Sequence, residues 1–246
     1  MWKYSKYVSK AFIEKFTDDL IEDLYNDYMP IKNIRKKYNY RMCKHLGVKF
    51  KLMIDDNCKK TKISNHLKSN ITKIKNKKVL RKLLSLKKRY FMGMAQYDFD
   101  KIVEINLSFY AYLAIKNNVN RKTLHKMLYD TIAHEVTHAC QHRNRRTPGF
   151  IDSGKYGDFD EKAKNAEKSW KKYLSCQSEI EAYAIGMACY LDKVYINKKI
   201  AMKALEFGFC NKFPARWNQI LLRIHKLGDK KVKHFLETAS GYLNDN

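Results

Sequence analysis

Five residues near the middle of the chain have the types and the spacing of a metal-dependent hydrolytic site: His134-Glu135-Val136-Thr137-His138. Positions four apart lie on the same face of an α-helix, so both imidazoles can reach one metal ion. Zinc binds imidazole nitrogen at about 2.0–2.1 Å and suits this pair. Glu135 lies one position further round the helix, where its carboxylate can take a proton from a water molecule on the metal.

The residues around this segment favour a helix over 121–142. A random arrangement of the chain's 8 histidines and 10 glutamates would produce about 0.01 such segments, so coincidence is a poor explanation. A polar stretch at 118–120 can cap the start of the helix, and Pro148-Gly149 follow its end. The alternative is a pair of hydrogen-bonded histidines on a buried helix face. Apolar residues recur at helical spacing: Leu124, Met127, Leu128, Ile132 and Val136.

A catalytic zinc site needs a third protein ligand. The metzincin pattern would place Gly at 141 and His at 144, and this chain has Gln141 and Asn144 instead. His142 continues the spacing of four, but three ligands on one straight helix would not close round a single ion, so we assign it a surface or supporting role. Cys140 points away from the face that carries the two histidines. The third ligand is therefore expected further along the chain.

The chain resembles the gluzincin superfamily of zinc metallopeptidases, whose second motif has the form E-x-x-A-D or E-x-x-x-D. The matching segment is Glu179-Ile180-Glu181-Ala182-Tyr183. The resemblance implies that Glu179 binds Zn²⁺ together with His134 and His138. Glu181 is the alternative, because carboxylates two apart face different sides of a helix. Tyr183 stands where many gluzincins carry an Asp that orients a ligand histidine, and Asp130 is the candidate for that supporting role.

The stretch from about 90 to 190 also looks like small minimal gluzincins and SprT-like proteases. Residues 93–97 and 102–106, followed by 128–133, imply a short edge strand beside the active-site helix, able to pair with an extended peptide. SprT-like proteases act on DNA-bound proteins, which suits the basic charge. They also use a third His and often a Cys-rich zinc ribbon, and this chain matches neither. The implied fold is α+β and zincin-like, with a largely helical remainder.

The resemblance implies a zinc-dependent metallopeptidase whose substrate is a protein or peptide. Zinc would activate water and polarise the substrate carbonyl. Glu135 would act as the general base and pass the proton to the leaving amine. A hydrogen-bond donor opposite the metal would stabilise the oxyanion, and the sequence leaves three candidates open. They are Tyr156, Tyr183 and His225.

Apolar periodicity predicts the remaining elements and a division into three regions. Residues 1–89 are expected to form a basic, mostly helical region with one strand at 47–54, residues 90–195 a catalytic core, and residues 196–246 a helical region packed on that core. Strands are predicted at 90–97 and 102–107, and residues 31–45 as a helical link. Helices are predicted at 7–29, 58–89, 121–142, 160–173, 177–195, 198–208, 214–227 and 230–243.

The net charge of +25 supports an alternative function, a basic nucleic-acid-associated protein with a structural or vestigial metal site. Residues 1–92 carry 25 basic and 8 acidic side chains, so the Lys-rich N-terminal region is where nucleic acid would bind. However, lysines number 40 and arginines only 10, which an AT-rich coding sequence also produces. Two explanations of the charge stay open: lysines that are simply solvated, and a surface that binds a polyanion. A third hypothesis is a viral interaction protein with a vestigial protease fold.

Several sequence features favour a cytoplasmic protein without a membrane segment. No run of 18 apolar residues occurs, and the first six residues lack the apolar core of a signal peptide. The six cysteines show no C-x-x-C spacing, which favours reduced thiols. The composition also resembles that of virus- or phage-encoded proteins, which would place the chain in the host cytoplasm.

Overall fold

In the computed structural model, helices predominate among the described elements and the described strands form one small sheet, so the α+β class is confirmed. The structure describes residues 10–38, 42–43, 48–55, 65–86, 95–98, 102–144, 166–195, 197–206 and 215–245. The described strands are β1 (Met42–Cys43), β2 (Val48–Ile54), β3 (Ala95–Asp98) and β4 (Ile102–Leu107). The described helices are α1 (Lys10–Leu24), α2 (Ile31–Tyr38), α3 (Asn65–Thr72), α4 (Lys77–Leu86), α5 (Phe109–Lys116), α6 (Arg121–Asn144), α7 (Ala166–Ser175), α8 (Gln177–Val194), α9 (Lys198–Glu206), α10 (Ala215–His225) and α11 (Asp229–Asp245).

Most predicted elements are confirmed where the structure describes them, two are corrected, and one helix was missed. The helix predicted over 58–89 is two helices, because Asn76 caps the second: its Oδ1 accepts hydrogen bonds from the backbone N–H of Lys78 and Val79. The helical link predicted over 31–45 ends at Tyr38 and is followed by β1. Helix α5 was not predicted. The Gly- and Asp-rich stretch at 147–160, which the sequence predicts to be a loop, lies outside the described residues.

The described residues within 11–135 form one compact unit built on a four-stranded sheet of order β1-β2-β4-β3. Strands β2 and β4 are parallel, in register from Lys49 with Ile102 to Ile54 with Leu107. On this pair the Lys51 Nζ lies 2.7 Å from Glu104 Oε2, an opposite-charge pair between neighbouring strands. Strand β3 runs antiparallel to β4 at one edge, so the strands predicted at 90–97 and 102–107 pair where the structure describes them.

Aromatic side chains join the helices of this unit to its sheet. The ring of Phe16 on α1 stacks on that of Phe50 on β2 with centroids 4.2 Å apart, and meets the ring of Tyr38 edge-on at 5.7 Å. All three are almost fully buried, and such ring pairs add about 0.5–1.5 kcal/mol beyond the area they bury. The Tyr38 hydroxyl lies 2.6 Å from the Asp23 carboxylate, so its polar end is satisfied.

A short turn fixes where the long helix α6 begins. Asn118 and Asn120 have φ of 50° and 60°, a left-handed conformation that Asn tolerates better than most residues. The carbonyl of Asn120 then accepts from Thr123 and Leu124 to open the helix. Between them, the Val119 carbonyl accepts a hydrogen bond of 2.8 Å from the Tyr25 hydroxyl. Burial raises the pKa of Tyr25, partly offset by Arg121, so this donor stays protonated.

The second compact unit contains Lys10 and the described residues from Val136 onward. Its centre is α8, which is buried almost along its whole length and packs most extensively on α11. Trp217 on α10 is 2% exposed, and its ring meets that of Tyr183 edge-on at 6.5 Å. Helix α6 contributes residues to both units. The division predicted at residues 89 and 195 stays a prediction.

Among the described residues, we find no helix that combines the length and the apolar character needed to cross a membrane.

Candidate metal centre

Helix α6 carries the first two candidate ligands, as the spacing predicted. His134 and His138 are one helical turn apart, and His134 is only 6% exposed. Glu135 is 7% exposed and lies about 60–100° round the helix axis from the two histidines. Buried charged or polar side chains need partners, so two buried and one half-buried such residues on one turn mark a site rather than ordinary core.

The third candidate, Glu179, lies in the first turn of α8. Its side chain is 4% exposed. The partial positive charge at a helix N-terminus favours a carboxylate at this position. Since α8 is buried along most of its length, its packing fixes the backbone that carries Glu179.

The structure brings His134, His138 and Glu179 together. One ligand atom from each lies within 4.8 Å of the other two, and the Nε2 of His138 is 3.5 Å from the Oε2 of Glu179. In a tetrahedral site with metal–ligand bonds of about 2.0–2.2 Å, ligand atoms lie about 3.3–3.6 Å apart. The distance between His138 Nε2 and Glu179 Oε2 already lies in this range. A side-chain movement of about 1 Å would bring the other ligand-atom distances into it.

The contact between the Nε2 of His138 and the Oε2 of Glu179 requires a proton or a metal ion between the two atoms. A deprotonated imidazole nitrogen and a carboxylate oxygen both present lone pairs and repel each other. A metal ion bound to both atoms removes that repulsion. Two imidazole nitrogens and one carboxylate oxygen are a donor set that suits a divalent metal and leaves a coordination position open for water. The residues therefore fit a metal ion.

Glu181, the alternative third ligand, is directed elsewhere. Its Oε2 accepts a hydrogen bond of 2.9 Å from Gln141 Nε2, and its Oε1 accepts one of 2.9 Å from Gln177 Nε2. It does not belong to the group of described residues that could hold a metal ion. The sequence had assigned no role to Gln141 beyond excluding the metzincin pattern, yet its Oε1 lies 3.1 Å from His138 Nδ1. The signal that could have indicated this contact is the spacing, because a polar residue three positions after a ligand histidine lies beside it on the helix.

Of the other residues singled out from the sequence, the structure describes the side chains of four and not those of two. Cys140 and Asp130 are buried, and the Asp130 carboxylate accepts a hydrogen bond of 3.3 Å from the Thr131 hydroxyl. Tyr183 is 8% exposed and packs edge-on against Trp217, while His225 is exposed on α10. Tyr156 and the side chain of His142 lie outside what the structure describes.

Comparisons with known proteins give this site no relative. The chain matches no family model, no curated protein and no solved structure. What the site does must therefore be inferred from its own residues and their geometry.

Proposed function

We propose that this protein is a zinc-dependent metallopeptidase with a zincin-like fold. The observation that carries the proposal is the group of His134, His138 and Glu179, largely buried, in which two imidazoles and a carboxylate converge; the buried Glu135 follows His134 on the same turn of α6. A structural zinc site would be closed by four protein ligands, whereas three ligands leave a position for water. A fourth protein ligand is not found among the described residues.

Each residue has a distinct role in the proposed reaction. His134, His138 and Glu179 would hold the zinc, which when bound activates water and polarises the substrate carbonyl. Glu135 takes the proton from the attacking water and delivers it to the nitrogen of the leaving amine. Among the oxyanion candidates, Tyr183 lies one turn after Glu179 on the same face of α8. Its hydroxyl is our preferred donor to the oxyanion.

The proposed substrate is an extended segment of a protein or peptide. Strand β3 lies at one edge of the sheet formed by the described strands and is paired on one side with β4. An edge strand presents backbone N–H and C=O groups with which an extended peptide can form a further strand. The backbone pairing would be independent of substrate sequence, so specificity would depend on side-chain pockets.

Removing the metal tests the proposed function. The purified protein is treated with a chelator, dialysed, and assayed on an unfolded protein such as casein before and after zinc is returned. We expect hydrolysis to fall to background and to recover with about one equivalent of zinc, because activation of water depends on the metal. Hydrolysis that survives chelation, or zinc-loaded protein that cleaves no peptide in a diverse library, would contradict the proposal.

A second function, binding to a polyanion, is favoured by the charge of α3 and α4. No acidic residue occurs between Asp56 and Asp98, and the described part of this stretch, residues 65–86, carries seven basic residues. On α4 the four cations are exposed while Leu80 and Leu84 are buried. They are Lys77, Lys78, Arg81 and Lys82. Like charges four apart destabilise a helix by about 0.2–0.5 kcal/mol per pair, a cost that a bound polyanion would remove.

The chemistry of this surface favours the phosphate backbone of a nucleic-acid duplex. Lysine acts as a point charge toward phosphate and gives little base specificity. Residues 65–86 contain no Phe, Tyr or Trp on which unpaired bases could stack. The apolar side chains Ile71, Leu80 and Leu84 are buried within the fold. Val79 is exposed, and a single apolar side chain offers a lipid surface little area to bind. A protease held near nucleic acid would combine both functions.

A salt titration tests the second function. Duplex DNA binding is measured by fluorescence anisotropy between about 50 and 200 mM salt for the wild type and for a variant with Gln at positions 77, 78, 81 and 82. Each lost phosphate contact reduces the slope of log K against log salt by about 0.9, so we expect a reduction of about 3–4. A matched control replaces four exposed lysines of the second unit with Gln, namely Lys171, Lys226, Lys230 and Lys233. Equal slopes in the two variants would contradict this function.

A further inference from the structure

Gln141 links the candidate metal centre to a second layer of buried polar groups. Its side chain is 7% exposed and lies on the same face of α6 as His138. Its Nε2 makes hydrogen bonds of 2.9 Å to the Oε2 of Glu181 and 3.2 Å to the carbonyl of Ser178. On the other side of the same amide, Oε1 lies 3.1 Å from the Nδ1 of His138.

These partners determine which way the Gln141 amide faces. A carboxylate and a backbone carbonyl can only accept, so the group between them must be the NH₂ of Gln141. The amide oxygen is then the group that faces His138. An amide oxygen also only accepts, so the Nδ1 of His138 must carry a proton and donate it. In the neutral imidazole this leaves the lone pair on Nε2, the atom that faces Glu179 at 3.5 Å.

Glu181 is itself held from two further directions. Its Oε1 accepts from Gln177 on α8 and lies 3.3 Å from the Nε2 of His234 on α11. Glu181 is 4% exposed, and with three polar contacts from three helices its carboxylate has little freedom to rotate. The orientation of Glu181 therefore fixes Gln141, and Gln141 in turn fixes His138.

We propose that Gln141, locked by Glu181, is the positioning residue that sets the tautomer of His138 and directs its Nε2 to the metal. This inference rests on the proposed function, since it assigns a supporting role at the same site. Outer partners of ligand histidines contribute about 10–100-fold to metal affinity. An amide between the carboxylate and the imidazole orients the ring without placing a second negative charge against it. The sequence had predicted Asp130 for a supporting role of this kind.

The test measures zinc affinity and the tautomer of His138 in two variants. Gln141→Met removes all three hydrogen bonds of the amide but leaves the Glu181 carboxylate buried with one partner fewer, which can impair folding. A Gln141→Met/Glu181→Met variant replaces both partners with apolar groups of similar size, which is often close to neutral for stability. Gln219→Met, at an exposed glutamine on α10, is the matched control.

Zinc affinity is measured by competition with a chromophoric chelator. The tautomer is measured by ¹⁵N NMR of the neutral imidazole in metal-free protein that also carries Glu179→Ala, because this change removes the competing acceptor 3.5 Å from Nε2. We expect affinity to fall about 10–100-fold in both variants and the proton to leave Nδ1, with no change in the control. An unchanged affinity, or a proton that stays on Nδ1, would overturn the proposal. Wild-type protein that binds no zinc would instead overturn the proposed function, and the NMR measurement would still decide the tautomer.

Discussion

Replacing Glu135 with Gln is expected to lower kcat for peptide hydrolysis by about 10²–10⁴-fold, the usual contribution of a general base. The amide has nearly the shape of the carboxylate, but it cannot accept the proton of the attacking water. Because Glu135 is buried beside the group of His134, His138 and Glu179 without belonging to it, zinc affinity should not change. The measurements are kcat on a fluorogenic peptide and zinc affinity by chelator competition.

The matched control for this prediction is Glu22→Gln, at an exposed glutamate of α1. It removes the same carboxylate charge far along the chain from the motif and should leave kcat unchanged. If the Glu135→Gln protein retains kcat within about tenfold of the wild type while binding zinc, Glu135 is not the general base.

Replacing Glu179 with Ala is expected to weaken zinc binding by more than about 100-fold, the upper end of what the loss of an outer partner costs. The variant removes a ligand atom and leaves two imidazoles, which cannot complete a site with three protein ligands. It also removes the buried carboxylate that lies 3.5 Å from His138. The affinity is measured by titrating metal-free protein with zinc in a calorimeter.

Glu237→Ala is the control for the ligand prediction. Glu237 is an exposed glutamate on α11, and its Oε1 lies 3.9 Å from the Nζ of Lys233. Exposed ion pairs contribute little to stability, so the variant removes one surface charge with little effect on folding. Zinc affinity in this variant should match the wild type. If Glu179→Ala binds zinc as tightly as Glu237→Ala does, the third ligand is not Glu179.

Local sequence pattern was sufficient to predict the elements that carry the candidate site. The long apolar periodicity of α6 predicted a helix, and a helix alone places His134 and His138 one above the other. The same reasoning gave α8 nearly to the residue. Strand β2 was predicted from its alternating apolar and basic residues, which follow the two faces of a sheet.

The choice between Glu179 and Glu181 required tertiary information. The two positions face different sides of α8, and which side faces His138 depends on how α8 packs against α11. No pattern within residues 177–194 specifies that rotation. The role of Gln141 could not be predicted from local pattern for the same reason, since its partner Glu181 is 40 residues away in sequence.

Helix α5 shows where local pattern was misleading. Phe109–Lys116 is short and mostly apolar, with aromatic and β-branched residues that also suit strands. Periodicity therefore did not distinguish a helix from a strand here. A helix-start signal was nevertheless present. The Ser108 hydroxyl caps the helix by accepting a hydrogen bond of 3.4 Å from the backbone N–H of Ala111.

The central claim is that His134, His138 and Glu179 hold one zinc ion, and elemental analysis of the wild-type protein tests it most directly. The protein is purified without added metal, and a second sample is loaded with zinc and dialysed. We predict about one zinc per chain in the loaded sample, as three protein ligands and one water define a single site. A loaded sample without zinc would contradict the claim, and the Lys-rich surface of α4 would then be the first place to look for function.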